Sequence, residues 1–309
     1  MSNADYDLII IGGGPAGLTA GLYSARARLK VILIEKVVPG GQIVVTDWIE
    51  NYPGFPDGIS GAELTQRMTE QAQRFGLEIE GDEVVSVDFS GTIKKLTLSD
   101  RTITAYAVII ASGASPKRIG VPGEDAYYGR GLSTCATCDG PFYKDKIVAA
   151  IGGGNTAIQE SLFLTKFVKK LYVIHRRDKL RAESILQERA FASDKIEFIW
   201  DSVVTGFTGA KTLEKAVVRN VKTGESKELP VNGCFIWIGI APNADFLGDS
   251  IRRDQFGFII ADDRMQTSVP GVFVAGDVRN TPLRQIATAI GDAAIAAASA
   301  EHHIQHLKG

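Results

Sequence analysis

The stretch Tyr6–Gly17, YDLIIIGGGPAG, decides the fold of the first part of the chain. Its apolar run predicts a buried strand, which leads directly into a turn of the form Gly-x-Gly-x-x-Gly. A helix is predicted next, over Leu18–Ala27, followed by a second buried strand, VILIE, over Val31–Glu35. The order strand, glycine turn, helix, strand and acid is the pattern of a dinucleotide-binding unit, whereas the glycine turn alone would be weak evidence.

The same pattern occurs a second time. KIVAAIGGGNTA, over Lys146–Ala157, again predicts a strand and a glycine turn, and LYVIH, ending at His175, predicts the next strand. His175 lies as far along the chain from Gly152 as Glu35 lies from Gly12. Each unit also closes with an apolar strand and a Gly-x-x-Pro exit. This agreement favours an internal duplication over two unrelated domains with generic loops, and two nucleotide sites in one chain imply two cofactors that must meet.

Length and composition set the scale of the protein. The 309 residues correspond to about two domains at the usual ~100 to 200 residues per domain. Apolar residues make up 45%, charged residues 23%, and the formal net charge is -2, so nothing indicates nucleic acid or a membrane as a partner. The 33 glycines exceed the roughly 22 expected from average usage, which predicts many turns or close backbone approaches. The polar start and the lack of a long apolar run favour a soluble cytoplasmic protein.

The C-terminal segment Val269–Gly309 does not fit inside the second unit. It predicts a short strand, in PGVFVAGD, and then an alanine-rich helix from about Leu283 to Ile304. Links rich in proline and glycine bracket the second unit, at Ser112–Glu124 and Ile240–Asp249, and are placed to serve as a hinge. The predicted fold is α/β, with two Rossmann-like dinucleotide-binding domains of the three-layer type, the second inserted into the first. The first domain is predicted to comprise residues 1–116 and 245–309, and the second residues 117–244.

The residue that closes each predicted second strand distinguishes the two nucleotide sites. Glu35 offers a carboxylate to the ribose hydroxyls of an adenosine without a 2′-phosphate. In the second unit His175 takes this position, and Arg176, Arg177 and Arg181 follow it. Because guanidinium groups bind phosphate oxygens through a planar fork of donors, this cluster favours a 2′-phosphate, and hence NADP over NAD. The alternative is an ordinary solvated basic run on the next helix.

The three cysteines include one CxxC pair. Cys135 and Cys138 lie within STCATCDG, whereas Cys234 lies in an apolar strand, where a small buried hydrophobe is expected. The pair indicates redox chemistry or half of a zinc site, and the sequence offers few further zinc ligands. A redox dithiol needs an attacking thiolate and a proton donor for the leaving sulfur. Asp139 is sited to be that donor, although an aspartate after a turn is also a common helix cap.

Three segments together resemble a known family closely. CATCDG, GGGNTA and HRRDKLR, on a chain that opens with GGGPAG, are similar to bacterial thioredoxin reductases of the low-molecular-weight type. The resemblance covers essentially the whole chain and includes GGQ at Gly40–Gln42, ENYPG at Glu50–Gly54 and GDVRNTPLRQ at Gly276–Gln285. CATCDG is highly specific, whereas the glycine turns occur in many flavoproteins. Gln159 departs from the family pattern, which often has glutamate there, and Ala293 stands where glycine is frequent.

The resemblance implies a homodimer in which each chain has one FAD site and one NADPH site. The implied FAD contacts are Gly12, Gly14, Ala16, Glu35, Gln42, Asn51, Asp277, Arg284 and Gln285. The implied NADPH contacts are Gly154, Asn155, Thr156, His175, Arg176, Arg177 and Arg181. Cys138 would be the sulfur nearest the flavin, Cys135 the one that exchanges with the partner, and Asp139 the acid/base. The implied activity passes electrons from NADPH to FAD, then to the cysteine disulfide and finally to oxidised thioredoxin.

The position of the cysteine pair predicts a domain motion. The pair follows the first bracketing link and precedes the second glycine turn, so it shares the inserted domain with the NADP site. A nicotinamide and a disulfide on one domain would both have to reach a single flavin on the other. Rotation about the paired links would let them take turns.

Other functions on the same scaffold remain open at this stage. A flavin-dependent dithiol oxidase or a ferredoxin-linked reductase would have no use for HRRDKLR. A non-catalytic redox sensor that binds NADPH would not need Asp139. An alkyl hydroperoxide reductase flavoprotein would normally carry a thioredoxin-like region before its first strand, and a strand that begins at Tyr6 leaves no room for one.

Overall fold

The structure is a computed structural model that describes residues 4–46, 49 and 51–309. The first three residues of the polar start, and Glu50 of the family-like segment ENYPG, lie outside the described residues. The chain divides into two compact units: the residues up to Ser115 together with Ala241–Gly309 form unit 1, and Pro116–Ile240 form unit 2. These divisions lie close to the predicted domain limits at 116/117 and 244/245.

The described residues form strands and α-helices with the following bounds. The strands are β1 Tyr6–Ile11, β2 Val31–Glu35, β3 Glu78–Gly81, β4 Ser86–Asp88, β5 Lys94–Thr97, β6 Thr102–Ile110, β7 Ala114–Pro116, β8 Leu132–Ser133, β9 Ile147–Gly152, β10 Lys170–Ile174, β11 Ile196–Ile199, β12 Ser202–Thr208, β13 Lys215–Asn220, β14 Ser226–Pro230, β15 Gly233–Trp237, β16 Ile240–Pro242 and β17 Val272–Val274. The helices are α1 Pro15–Arg26, α2 Gly61–Arg74, α3 Glu124–Tyr127, α4 Ala136–Asp139, α5 Asn155–Leu164, α6 Ser184–Phe191 and α7 Ile286–Lys308.

Unit 1 is built on a sheet whose strands run β3-β2-β1-β6, all parallel. The C-terminal half of β6 also pairs in parallel with β17, and its N-terminal half pairs antiparallel with β5, which pairs with β4. Alternate residues of β1 enter two different hydrophobic clusters, Leu8 and Ile10 one of them, Ile9 and Ile11 the other. Both faces of the sheet are therefore covered at β1, which explains why its buried part, Leu8–Ile11, is apolar without interruption.

Helices α1 and α7 pack against one face of this sheet. The buried face of α7 consists largely of alanines, which let the two helices approach closely. A Cβ on Gly17 would lie 1.8 Å from the carbonyl oxygen of Gly12, so the first turn of α1 also depends on glycine for its close approach to the glycine turn. These contacts fix the N-terminus of α1 against the end of β1.

Unit 2 repeats the same topology. Its sheet runs β11-β10-β9-β15-β8 with every pairing parallel, and an antiparallel meander, β12-β13-β14, accompanies it. The order of the first four strands, with β9 in the place of β1, matches that of unit 1. The predicted fold class, two Rossmann-like domains with the second inserted into the first, is confirmed.

The segments that connect the units, β7 and β16, pair with each other as a two-stranded sheet. Within unit 1, Asn243 ties the end of the second connection to the first. Its side-chain amide donates to the carbonyl oxygen of Ser112 at 2.9 Å, and its Oδ1 accepts from the Ser115 hydroxyl at 2.9 Å. Separately, the part of the chain that is described contains no helix long and apolar enough to cross a membrane.

Candidate active site

The glycine turn of unit 1 has two kinds of glycine. Gly12 has φ +102°, and a Cβ there would lie 2.5 Å from the Ala111 carbonyl oxygen, so the fold itself requires glycine. Gly14 has φ -69°, and a Cβ there would meet nothing within 4 Å. The open space beside Gly14 lies at the N-terminus of α1, where backbone N–H groups and the helix dipole favour an anion. The turn therefore has the shape and charge that a dinucleotide pyrophosphate needs.

The Glu35 carboxylate is fixed beside this turn. Its Oε2 accepts from the Gly13 N–H at 2.6 Å, and its Oε1 accepts from the Val37 N–H at 3.0 Å. The carboxylate lies at the end of β2, in the place where a ribose is held in Rossmann-like domains. This geometry fits the adenosine end of FAD.

The remaining predicted FAD residues of unit 1 lie in three other segments. The Gln42 side chain donates to the carbonyl oxygen of Ala114, and the Asn51 side chain donates to Gln285 Oε1 at 3.1 Å. Ala16, in the first turn of α1, lies beside Gly276, where an added Cβ would come within 3.1 Å of the Ala16 methyl group. These contacts join segments of unit 1 that are far apart in the sequence.

Asp277 and Arg284 are linked next to this turn. Arg284 Nε donates to the carbonyl oxygen of Asp277 at 3.3 Å. Burial raises the pKa of the Asp277 carboxyl group, which the charge of Arg284 opposes. A partly buried carboxylate held beside an arginine is suited to accept hydrogen bonds from hydroxyl groups of a ligand.

An ion pair that the sequence does not predict holds this loop. Asp292 receives two hydrogen bonds from the Arg279 guanidinium, at 2.7 and 3.0 Å, and one from the Gly276 N–H at 3.2 Å. Both side chains of the pair are largely buried. The signal that could have revealed it is a carboxylate next to the alanines on the buried face of α7, where an unpaired charge would be costly.

The glycine turn of unit 2 has the same open position. Gly154 has φ -92°, and a Cβ there would meet nothing within 4 Å. Asn155 and Thr156 begin α5 directly after it and are exposed. The N-terminus of α5 therefore presents a second anion site, next to a different set of side chains.

The residues of the HRRDKLR segment divide into a buried support and an exposed cluster. His175 is only 5% exposed, and its Nε2 lies 3.0 Å from the Lys179 carbonyl oxygen. A Cβ on Gly153 would lie 2.4 Å from the imidazole ring, so His175 packs directly against the glycine turn. Arg176, Arg177 and Arg181 are exposed. Burial lowers the pKa of His175, so the positive charge at this site belongs to the arginines.

Cys135 and Cys138 are joined as a disulfide, with Cα atoms 5.4 Å apart, at the start of α4. The Cys138 N–H donates to Cys135 Sγ at 3.2 Å, and the Thr137 hydroxyl lies 3.3 Å from the same sulfur. Donors of this kind stabilise a thiolate, so reduction would favour the charged form on Cys135. The Trp237 indole N–H donates to the Thr134 carbonyl oxygen at 3.0 Å, and this bond anchors the residue before Cys135 to the end of β15.

Two acidic residues lie close to the disulfide. Asp139 follows Cys138 directly and is partly buried, and its charge contributes to raising the pKa of Tyr143 to about 12, although burial is the larger cause. Glu160, on α5, has a carboxyl pKa raised by burial, opposed by a hydrogen bond from the Ala136 N–H. The contact of Glu160 with the cysteine loop was not predicted, because the two residues are distant in sequence.

The two features that remain are the third cysteine, Cys234, and possible groups of metal-ligating side chains. Cys234 is free and fully buried, and burial raises the pKa of its thiol, which confirms its interpretation as a small core residue. Within residues 4–46, 49 and 51–309 no group of three or more His, Cys, Asp or Glu side chains could hold a metal ion. The zinc interpretation of the cysteine pair therefore gains no support from the described residues.

Two dinucleotide-binding units, with a CxxC disulfide on the inserted one, define the class of nucleotide-dependent disulfide oxidoreductases. A family model described as pyridine nucleotide-disulphide oxidoreductase matches residues 6–293, and the chain belongs to this family. It is 46% identical to a thioredoxin reductase of Peptoclostridium acidaminophilum over 97% of each chain, and 45% identical to one of Bacillus subtilis (98% of this chain, 96% of the relative). The crystal structure of thioredoxin reductase from Streptococcus pyogenes matches with a TM-score of 0.93 at 47% identity, covering 99% of this chain and 100% of that one. FAD and NADPH are the cofactors of this family and of this chain.

Proposed function

We propose that the protein is an NADPH-dependent thioredoxin-disulfide reductase. The observation that carries the proposal is the Cys135–Cys138 disulfide, held on the same unit as the arginine-flanked glycine turn. The predicted alternatives, a dithiol oxidase and a ferredoxin-linked reductase, would leave that arginine cluster without a role. The names of the relatives and the identity over nearly the whole chain support the same activity.

FAD would be held by unit 1. The turn at Gly12, Gly14 and Ala16 would receive the pyrophosphate, and Glu35 would accept hydrogen bonds from the ribose. Asp277 would hold the ribityl chain, and Gln42, Asn51, Arg284 and Gln285 would contact the remainder of the cofactor. When bound, FAD supplies the two-electron chemistry that connects NADPH with the disulfide.

NADPH would be held by unit 2. Gly154, Asn155 and Thr156 form the turn that would receive its pyrophosphate. The His175 ring packs against this turn at Gly153. The guanidinium groups of Arg176, Arg177 and Arg181 would bind the 2′-phosphate. NADH lacks this group and would lose those charge-assisted hydrogen bonds.

The two cysteines would have different roles once the disulfide is reduced. The Cys135 thiolate, favoured by the Cys138 N–H, attacks one sulfur of the thioredoxin disulfide, so that a mixed disulfide forms and the thioredoxin disulfide breaks. Cys138 then attacks Cys135, which restores the original disulfide and releases reduced thioredoxin. Asp139, adjacent to Cys138, would donate the proton that the leaving sulfur requires.

We also propose that the reaction depends on domain rotation. The disulfide and the NADPH residues belong to unit 2, whereas the FAD residues belong to unit 1, and the chain passes from one unit to the other at β7 and again at β16. Alternating access predicts that turnover falls as sucrose raises the viscosity of the solution. Turnover that is insensitive to viscosity would argue against this step.

The assembly and location of the protein are proposed from the family resemblance. We propose a homodimer that acts in the cytoplasm. Sedimentation equilibrium of the FAD-loaded protein would then give twice the mass of one chain, and a monomer at micromolar concentration would contradict the proposal.

The decisive experiment combines turnover with trapping of the mixed disulfide. NADPH oxidation is measured with oxidised thioredoxin, and we expect a higher kcat/KM than with NADH. Cys138→Ser should accumulate a mixed disulfide with thioredoxin through Cys135, whereas Cys135→Ser should not, and neither should turn over. The matched control is Cys234→Ala, which should retain turnover because Cys234 is fully buried and is not part of the disulfide. Normal turnover in Cys138→Ser would refute the mechanism.

A further inference from the structure

We propose that Glu183 is a positioning residue that sets the preference of the second nucleotide site for a 2′-phosphate. This inference rests on the proposed NADPH site. Glu183 lies two residues after Arg181 and does not itself have a group that could bind a phosphate. Its role would be to fix the segment that carries Arg181 against the glycine turn.

The link consists of two hydrogen bonds with Asn155, the first residue of α5. Asn155 Nδ2 donates to Glu183 Oε1 at 3.0 Å, and the Glu183 N–H donates to Asn155 Oδ1 at 2.8 Å. Both polar atoms of the Asn155 side chain are thus engaged by one residue. Asn155 was predicted from the family resemblance to contact NADPH, and in this structure its side chain joins the turn to the arginine segment.

A second pair of bonds holds the same segment through the backbone. The N–H groups of Arg181 and Ala182 donate to the Gly153 carbonyl oxygen at 2.7 and 3.1 Å. These bonds do not involve the Glu183 side chain, so its removal would leave the segment attached but less constrained. We therefore expect a loss of precision at Arg181 and retention of the fold.

The usual reasons for a glutamate at this position do not apply. Glu183 is the N-cap of α6, yet its side chain accepts no capping hydrogen bond from that helix. A negative charge near an anion-binding turn would weaken the binding of every phosphate by Coulomb repulsion. The two hydrogen bonds with Asn155 therefore explain why a residue of this type lies here. These bonds require an acceptor oxygen on the side chain, but they do not require a negative charge.

Two substitutions at Glu183 separate the acceptor oxygen from the charge. Glu183→Gln keeps an acceptor for Asn155 and removes the charge, so the preference for a 2′-phosphate should be retained. Glu183→Ala removes the acceptor and should lower that preference about tenfold, because part of the charge-assisted hydrogen bonding to the 2′-phosphate is lost when Arg181 is loosely held. Asn155→Ala breaks the same link from the other side and should give a similar loss. The double variant should then lose little more than either single one.

The test is isothermal titration calorimetry of the FAD-loaded protein with 2′,5′-ADP and with 5′-AMP, which differ only in the 2′-phosphate. The quantity compared is the ratio of the two Kd values, with circular dichroism as the check of folding. Glu188→Ala, which removes another exposed glutamate, in the middle of α6, is the matched control and should keep the ratio of the wild type.

The possible results are distinguishable. A wild-type protein without preference for 2′,5′-ADP would show that the proposed NADPH site is wrong. A wild-type preference that survives in Glu183→Ala, or that falls equally in Glu183→Gln, would overturn the positioning role. A fall in Glu183→Ala and in Asn155→Ala, with retention in Glu183→Gln, would establish it. If Glu183→Ala failed to fold, Asn155→Ala and Glu183→Gln would still decide the question.

Discussion

Replacing Gly14 with valine should abolish FAD binding and leave unit 1 folded. A Cβ at Gly14 meets nothing within 4 Å, and the backbone angles, φ -69° and ψ -176°, are favourable for valine. Losing glycine at the N-cap of α1 costs at most about 1 kcal/mol. The lower conformational entropy of the unfolded chain offsets about 0.4 to 1 kcal/mol of it. The free energy of unfolding of the apoprotein should therefore change by less than ~1 kcal/mol.

The effect on the ligand should be much larger, because the three added carbons fill the space at the N-terminus of α1. FAD at a hundredfold excess over its Kd should raise the free energy of unfolding of the wild type by ~2.7 kcal/mol and that of Gly14→Val by almost nothing. The assay is urea denaturation with and without FAD, together with the flavin absorbance of the purified protein. Gly291→Val is the control, since a Cβ at this exposed position of α7 also meets nothing within 4 Å. One FAD per chain in purified Gly14→Val would refute the assignment of this turn.

Three further results are expected. Gly154→Val should keep its flavin and lose 2′,5′-ADP binding, measured by calorimetry, because the same open position occurs in unit 2; binding at the wild-type Kd would contradict this. Asp292→Ala should lower the free energy of unfolding by roughly 3 kcal/mol in urea, because it leaves the Arg279 guanidinium largely buried without its acceptor; a loss below about 1 kcal/mol would show that water replaces the carboxylate. Burial raises the pKa of Glu160, so the native state binds more protons than the unfolded chain between the ordinary and the raised pKa, and stability should fall as pH rises through that window. Glu160→Gln should remove this fall in urea titrations at a series of pH values, and an unchanged slope would exclude Glu160 as its source.

The central strands of each parallel sheet were predictable because both of their faces are buried. β1 and β2 match the predicted ranges, since a strand covered on both sides is an almost continuous apolar run. The ends of helices were less accurate. The predicted helix from Leu18 begins at Pro15, whose fixed φ suits the first turn. The predicted helix from Leu283 begins at Ile286, because a capping box with Thr288 starts it there.

The site was predictable where its residues lie together in one segment, and not where residues from two distant segments act together. A CxxC pair, a glycine turn and an arginine cluster can each be recognised within a single segment of the sequence. The bonds between Asn155 and Glu183, or between Arg279 and Asp292, join segments whose proximity depends on how the strands and helices pack. No local pattern encodes such a pair, so the structure was needed to find it.

The two copies of the duplicated unit use one backbone position in opposite ways. Glu35 is the last residue of β2 and His175 directly follows β10, and both pack against the middle glycine of the turn. In unit 1 the side chain is an acceptor, bound to the Gly13 N–H and placed to accept from a ribose. In unit 2 it is a buried imidazole whose lowered pKa keeps it neutral, so it fills the space without contributing charge. The 2′-phosphate is therefore recognised by the arginines that follow His175 and not by His175 itself. The strength of this recognition depends on the hydrogen bonds that hold the arginine segment against the turn.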